Sequence, residues 1–223
     1  MAVLEGGVSA VLAGVDAEAA KPLHVASKAT PYGTLGHYRA AAATGTLAAA
    51  LAANAQLFQF KWTDATRLAV ITYLQWKFKT LTVFTSATLT DFGVDMFKVT
   101  SYAAGGGGTT LGAPSKMRTS MGASLVGGLN ISTTAALTAA TTLDAVAIAQ
   151  SIGHPNRRTP ATAIEEPLDQ VPLGLFNPDL GHGEHPLVLA QNEGFVLRNR
   201  VVWPAAGTGV LQVELGWAEV SVF

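Results

Sequence analysis

The sequence feature that most constrains the fold is an alternation of apolar and polar side chains in two separated segments. In residues 56–62 (QLFQFKW) the aromatic side chains Phe58, Phe60 and Trp62 fall on one face and polar side chains on the other. Successive side chains of a β-strand point to opposite sides of the sheet, so this spacing predicts a strand with one buried face. Residues 209–222 repeat the pattern. There the apolar set is Leu211, Val213, Leu215 and Trp217, and the polar set is Gln212 and Glu214.

Further segments predict that the rest of the chain is also β-structure. Residues 67–85, 91–102 and 194–202 are rich in β-branched and aromatic types, and turn-forming residues separate them. About eight short strands and few helical patterns predict an all-β protein. The chain has 223 residues, about twice the length of an immunoglobulin-like domain. We therefore predict a jelly-roll-like antiparallel β-sandwich with an extended N-terminal arm.

The predicted organisation has two parts. Residues 1–31 form the N-terminal arm and a first extended segment, and residues 32–223 form the sandwich. Residues 153–186 contain six of the ten prolines and are predicted to be a long irregular excursion, of a kind that usually makes contacts.

Several local features carry expectations that a structure can test. The four glycines of residues 105–108 predict a flexible loop at one end of a sheet. The alternation slips at residues 95–97, as it would at a β-bulge. Residues 203–209 predict the loop of an antiparallel hairpin. The sequence does not decide between helix and strand for residues 133–150. Alanine and leucine there favour a helix, whereas threonine and valine favour a strand.

Composition excludes several classes of function. Charged residues make up 13% of the chain, against about 25% in ordinary soluble domains. A surface so poor in charge predicts that copies of the chain or another protein cover much of it. The absence of cysteine excludes disulfides and thiolate sites. A net charge of −1 argues against nucleic acid as a partner, and no apolar run approaches the ~18 residues of a membrane span.

The sequence offers only weak candidates for a metal site or a catalytic site. His182, Glu184 and His185 could contribute to a metal site, but neighbouring glycines and a proline prevent the helix that would bring the imidazoles together. The acidic residues 165, 166 and 169 lie on one extended loop and do not flank a substrate from two sides. No nucleophile elbow is present. We therefore predict no catalytic residue, no metal, no cofactor and no enzyme.

The candidate residues are partner contacts. Arg157 and Arg158 form the densest basic pair and could meet an acidic partner surface. Trp203 stands beside Pro204 in a predicted loop, where an indole ring could stack on a sugar. Val15 and Asp16, in the predicted arm, complete the set.

Five segments resemble a group of tailed-bacteriophage virion proteins. They are Leu12–Asp16 (LAGVD), Phe58–Asp64 (FQFKWTD), Lys116–Gly122 (KMRTSMG), Glu184–Phe195 (EHPLVLAQNEGF) and Trp217–Val220 (WAEV). The resemblance extends over most of the chain and implies a structural component of a phage particle, located in the virion and assembled in the host cytoplasm. It implies no catalytic residues.

The resemblance and the composition together give three ranked hypotheses. The first is a capsid decoration or cement subunit that binds the major capsid protein and associates with copies of itself, with a trimer favoured. The second is a tail or head-fibre component that binds host glycan, motivated by Trp203 and the excursion at 153–186. The third is a β-sandwich hydrolase that uses His182, Glu184 and His185.

Overall fold

The computed structural model describes residues 36–85, 91–151, 154–155 and 186–223. These residues form β-strands joined by turns and loops and contain no helix. Within this part of the chain there is accordingly no helix long and apolar enough to cross a membrane. The strands are β1 (Gly36–Ala43), β2 (Gln56–Trp62), β3 (Leu68–Thr85), β4 (Asp91–Phe92), β5 (Val94–Gly106), β6 (Thr109–Thr110), β7 (Ser115–Lys116), β8 (Val126–Ile131), β9 (Thr138–Leu143), β10 (Ala149–Gln150), β11 (His154–Pro155), β12 (Val188–Leu189), β13 (Gly194–Asn199) and β14 (Ala206–Val220).

Two antiparallel sheets pack against each other as a β-sandwich. Sheet A has the strand order β12-β3-β14-β1-β7, and sheet B has the order β10-β5-β13-β2-β8-β6, with β9 also paired to β5. A small third sheet joins β11 to β4. The predicted all-β fold is confirmed. The predicted N-terminal arm, residues 1–31, lies outside the described residues, as does nearly all of the excursion at 153–186.

The topology is that of a jelly roll. The first long strand pairs with the last, β1 with β14, and β2 pairs with β13, β3 with β12, and β5 with β10. This nested pairing arises when the two halves of a chain run antiparallel to each other and successive pairs alternate between two sheets. The β1–β14 and β3–β12 pairs are in sheet A, and the other two pairs are in sheet B. The jelly-roll prediction is therefore confirmed.

The core between the sheets contains the aromatic side chains that the alternation assigned to it. Phe58, Phe60 and Trp62 from β2 are fully buried, and so is Trp217 from β14. The ring of Phe60 meets that of Trp217 edge-on at 5.3 Å, and it stacks at 5.3 Å on Phe195 of β13. Aromatic pairs in these arrangements contribute about 0.5–1.5 kcal/mol beyond the burial of their surface. Both sheets are thus joined through one aromatic cluster.

An insertion between β5 and β9, residues 107–137, covers one side of the sandwich. Its strand β7 pairs with the outer edge of β1, and its strand β8 pairs with the outer edge of β2. Unpaired sheet edges invite pairing with other chains, so the insertion protects one edge of each sheet. Gly107 and Gly108, with φ of 81° and 63°, make the turn into β6. The predicted glycine loop is corrected, because β5 continues through Gly106 and only two of the four glycines form the turn.

Three other local predictions receive an answer. Residues 133–150 form strands β9 and β10 and no helix. The expected bulge at residues 95–97 is absent from the described β5–β13 ladder, whose register is regular from Val94 to Val99. The predicted hairpin at residues 203–209 is wrong, because this loop crosses from β13 in sheet B to β14 in sheet A. A Pro/Gly loop indicates a change of direction, but the sheet in which the next strand pairs depends on tertiary contacts.

Candidate functional site

Most of the predicted contact residues lie outside the described residues. This is true of Val15, Asp16, Arg157 and Arg158. The residues of the metal hypothesis, His182, Glu184 and His185, lie there as well. Across the ranges that the structure describes, no group of three or more His, Cys, Asp or Glu side chains could hold a metal ion.

Trp203 is described, and the prediction that its ring is available to a partner is wrong. The side chain is only 2% exposed. Its ring meets Phe78 edge-on at 5.2 Å and Phe84 edge-on at 5.3 Å, and its backbone N–H donates to the carbonyl of Leu51 at 2.9 Å. The proline and glycine neighbours correctly indicated a loop, but this loop folds inward over the end of the sandwich. The glycan-binding hypothesis therefore loses its support among the described residues.

The outer face of sheet B is covered by the chain itself. Phe97, Val99, Tyr102 and Val196 form a second apolar cluster there, and all four are buried. The turn that covers them is residues 144–148, whose two ends are fixed by hydrogen bonds from Asp144 N to Lys98 O at 3.0 Å and from Ile148 N to Met96 O at 2.8 Å. Val146 at the tip of this turn is 76% exposed. Little of this sheet face is therefore left for a partner.

The outer face of sheet A carries a buried apolar cluster at one end, formed by Val70, Ala218 and Val220, and is largely exposed elsewhere. We define the open face as the outward side chains of residues 39–43 of β1, 210–216 of β14 and 73–79 of β3. Ala41 lies beside Glu214, which lies beside Gln75, and the neighbouring row consists of Ala43, Gln212 and Lys77. The side chains of Ala41 and Glu214 are exposed. Ala41 and Ala43 keep part of the β1 edge of this surface free of long side chains.

At one end of the open face, side chains are held in place by contacts across the strands. Gly216 of β14 has no side chain, and over it the guanidinium of Arg39 approaches the ring of Tyr73 to 5.1 Å. The Tyr73 hydroxyl donates to Gln75 Oε1. His37 Nε2 lies 3.0 Å from Thr72 Oγ1. Burial lowers the pKa of His37, and the charge of Arg39 lowers it further, so the neutral imidazole is favoured.

A second candidate contact region borders the open face. We call residues 117–125, which follow edge strand β7, the anchored loop. A single buried oxygen, Oε1 of Glu219, fixes the end of this loop. It accepts hydrogen bonds from Ser124 Oγ at 2.6 Å, from Leu125 N at 3.0 Å and from the Trp217 indole N–H at 3.3 Å. Glu219 is 1% exposed, so these three donors are the compensation for its burial.

Contacts with β1 fix the rest of the anchored loop. Met117 N donates to the carbonyl of His37 at 3.0 Å, and the Tyr38 hydroxyl donates to the carbonyl of Gly122 at 3.1 Å. Burial raises the pKa of Tyr38, and nearby Glu219 raises it further, so the hydroxyl remains a donor. Met117 itself is 45% exposed. An exposed loop that is already ordered loses little entropy on binding, which favours a role in recognition.

Hydrogen bonds connect some of the segments that carry the phage resemblance. Ser124 and Leu125, just after the segment Lys116–Gly122, donate to Glu219 in the segment Trp217–Val220. Trp62, in the segment 58–64, receives a hydrogen bond from Asn192 N at 2.8 Å and donates one to Glu193 O at 2.9 Å. Sequence reasoning gave Glu219 no role of its own. The available signal was an acidic residue at the position two after Trp217, on the face that the alternation assigns to the core.

The described charged side chains near the sheets make structural contacts. Asp95 and Arg200 form an ion pair at 2.7 Å that links β5 to the end of β13. Arg200 also donates a hydrogen bond to the carbonyl of Ser151, so these contacts have a structural role. Comparison with protein-family models, with curated proteins and with solved structures found no match to this chain.

Proposed function

We propose that this protein is a structural subunit of a tailed-phage particle that decorates the head, binding the shell formed by the major capsid protein and associating with copies of itself. The observation that carries the proposal is the difference between the two faces of the jelly roll. The chain buries an apolar cluster on the outer face of sheet B and a smaller one at one end of the outer face of sheet A, and it leaves the open face, the rest of sheet A, largely exposed.

The low charge of the chain and the resemblance of five segments to virion proteins support the same function. A repeated shell offers every subunit the same flat contact, and short side chains such as Ala41 and Ala43 allow close approach of two backbones. Interfaces of this kind depend on shape complementarity over about 800 Å² per partner. The open face, with the anchored loop at its border, is the described surface best suited to this requirement.

The test is addition of the purified protein to undecorated head shells of the same phage, measured by co-sedimentation. We expect saturable binding with a fixed number of copies per shell. Ala43→Trp on the open face should weaken binding roughly tenfold or more, because it separates two closely packed surfaces. Val146→Trp, on the opposite side of the sandwich, is the matched control and should bind as the parent does.

Self-association has its own measurement. Size-exclusion chromatography with light scattering should give a mass near three times the 23.0 kDa of one chain, as expected for the favoured trimer. A stable monomer that also fails to add to shells would contradict the proposal.

A further inference from the structure

Three of the five exposed basic side chains of the described residues share the outer face of sheet A. Five Lys or Arg residues are exposed: Arg39, Lys77, Lys79, Lys116 and Arg118. The first three belong to β1 and β3 in sheet A, and the last two belong to edge strand β7 and the anchored loop. The full chain carries a net charge of −1. The positive charge at this surface is therefore a local concentration in a protein that is almost neutral.

Basic residues of sheet B are used inside the molecule. Lys61 lies 5.8 Å from the centre of the Tyr102 ring, and Arg198 lies 3.6 Å from that of Phe97. Lys98 pairs with Glu193 at 3.2 Å. These cations are half-buried, and each has an aromatic or acidic neighbour. In sheet A, Arg39 likewise lies over the Tyr73 ring, whereas no described ion pair or ring contact involves Lys77 or Lys79.

Few acidic groups oppose the exposed cations. Glu214 is the exposed acidic residue that the described part of sheet A carries, and its neighbours in the ladder are Ala41 and Gln75. Lys77 lies beside Gln212 and Lys79 beside Val210. No described carboxylate pairs with either lysine. An exposed cation without an internal partner remains hydrated and carries no desolvation penalty in the free protein. It is therefore available to pair with an anionic surface.

We propose that the open face, with Arg39, Lys77 and Lys79, docks onto an acidic protein surface of the head shell. This inference rests on the proposed function and adds the chemistry of the partner. The open faces of two copies would oppose cation to cation, so charge complementarity favours an acidic shell surface over a second copy of the same face. Exposed charges at an interface mainly accelerate association and make it sensitive to salt.

The decisive variants remove the same amount of charge from opposite sides of the molecule. Lys77→Gln with Lys79→Gln changes the open face, and Lys61→Gln with Lys98→Gln is the matched control on sheet B. We expect the first pair to weaken binding to purified shells roughly tenfold at low ionic strength and the control to stay within about twofold. Raising the salt from about 50 mM to about 300 mM should weaken binding of the parent more than binding of the first variant, which keeps only Arg39 on this face.

A measurement on the protein alone checks the charge segregation. The parent should be retained on a cation-exchange resin at pH 7 despite its net negative charge, and the Lys77/Lys79 variant should elute at lower salt than the Lys61/Lys98 variant. Equal elution of the two variants would overturn the inference.

The remaining outcomes separate the two proposals. Shell binding that is equal in both variants and indifferent to salt overturns the acidic partner and leaves the decoration function in place. Failure of the parent to bind shells overturns both. Binding of duplex DNA that is lost in the Lys77/Lys79 variant would assign the face to nucleic acid and overturn the protein partner.

Discussion

Replacing Glu219 by alanine should destabilise the protein by about 4 kcal/mol and release the anchored loop. The magnitude follows from the donors that share Glu219 Oε1. In the variant, the N–H groups of Trp217 and Leu125 lose their acceptor, and the Trp217 side chain is fully buried. A buried donor left unpaired costs about 1–3 kcal/mol, so the two together cost about 2–6 kcal/mol. For a chain of this length the melting temperature should fall by about 8–16 °C.

Glutamine at the same position gives an internal comparison. All three hydrogen bonds go to one oxygen, so an amide oxygen can take the place of Oε1 while the charge is lost. Hydrogen bonds to charged groups are roughly twice as strong as neutral ones, and we expect Glu219→Gln to cost about 1–2 kcal/mol. Glu214→Gln is the control on the same strand, because its side chain is exposed, and it should change stability by less than about 0.5 kcal/mol.

The assay is denaturant unfolding combined with limited trypsin digestion. Trypsin cleaves after Lys116 and Arg118, so a released loop should be cut faster in the alanine variant before global unfolding. An alanine variant within about 1 kcal/mol of the parent, or a glutamine variant as unstable as the alanine variant, would refute the assignment of Oε1 as the group that holds the loop.

Three further predictions concern other sites. Gly194→Ala should destabilise the protein by more than about 3 kcal/mol, because the added methyl group overlaps a main-chain carbonyl of β2. Gly122→Ala should change stability by less than about 0.5 kcal/mol, because no atom lies within 4 Å of the added methyl group. Denaturant unfolding compares the two variants. Asp95→Asn should cost about 2–3 kcal/mol in the same assay, because it removes the charge that pairs with Arg200 through two hydrogen bonds. The pKa of His37 is lowered in the folded protein, so the unfolded chain binds a proton at this histidine first as the pH falls below 6.5. The free energy of unfolding should therefore decline below pH 6.5, and His37→Gln should flatten that part of the pH profile.

Each of these predictions can fail in a definite way. Equal stability of the two glycine variants would show that the backbone at Gly194 moves aside easily. A neutral Asp95→Asn would show that the ion pair only balances its own desolvation. An unchanged pH profile in His37→Gln would assign the acid sensitivity to other groups.

The sequence predicts a strand well when one side of it faces the core. In β2 the aromatic set Phe58, Phe60 and Trp62 is buried as predicted, but the opposite face is not exposed as predicted, because Leu57 and Gln59 are buried as well. In β14 the same logic correctly separates the buried Leu211 from the exposed Gln212. The central strand β13 is different, because Val196 is buried on the outer face of its sheet. When both faces are covered, the period of two no longer distinguishes them.

The candidate site was much harder to predict. The open face is built partly from Ala41 and Ala43, and alanine carries no signature of binding. Trp203 was assigned to the surface because loop signals report the local chain direction and not whether the loop folds inward. The anchored loop depends on Glu219, about 95 residues further along the chain, and contacts at such separation leave no trace in a local pattern.

The short turn at residues 144–148 has a practical consequence for display. It lies on sheet B, on the opposite side of the sandwich from the open face, and hydrogen bonds to Lys98 and Met96 close its base. If sheet A rests on the head, a peptide inserted between Ala145 and Val146 would point away from the particle into solution. The particle could then carry a foreign epitope on its exterior, repeated at every copy, without disturbing the attachment of the subunit.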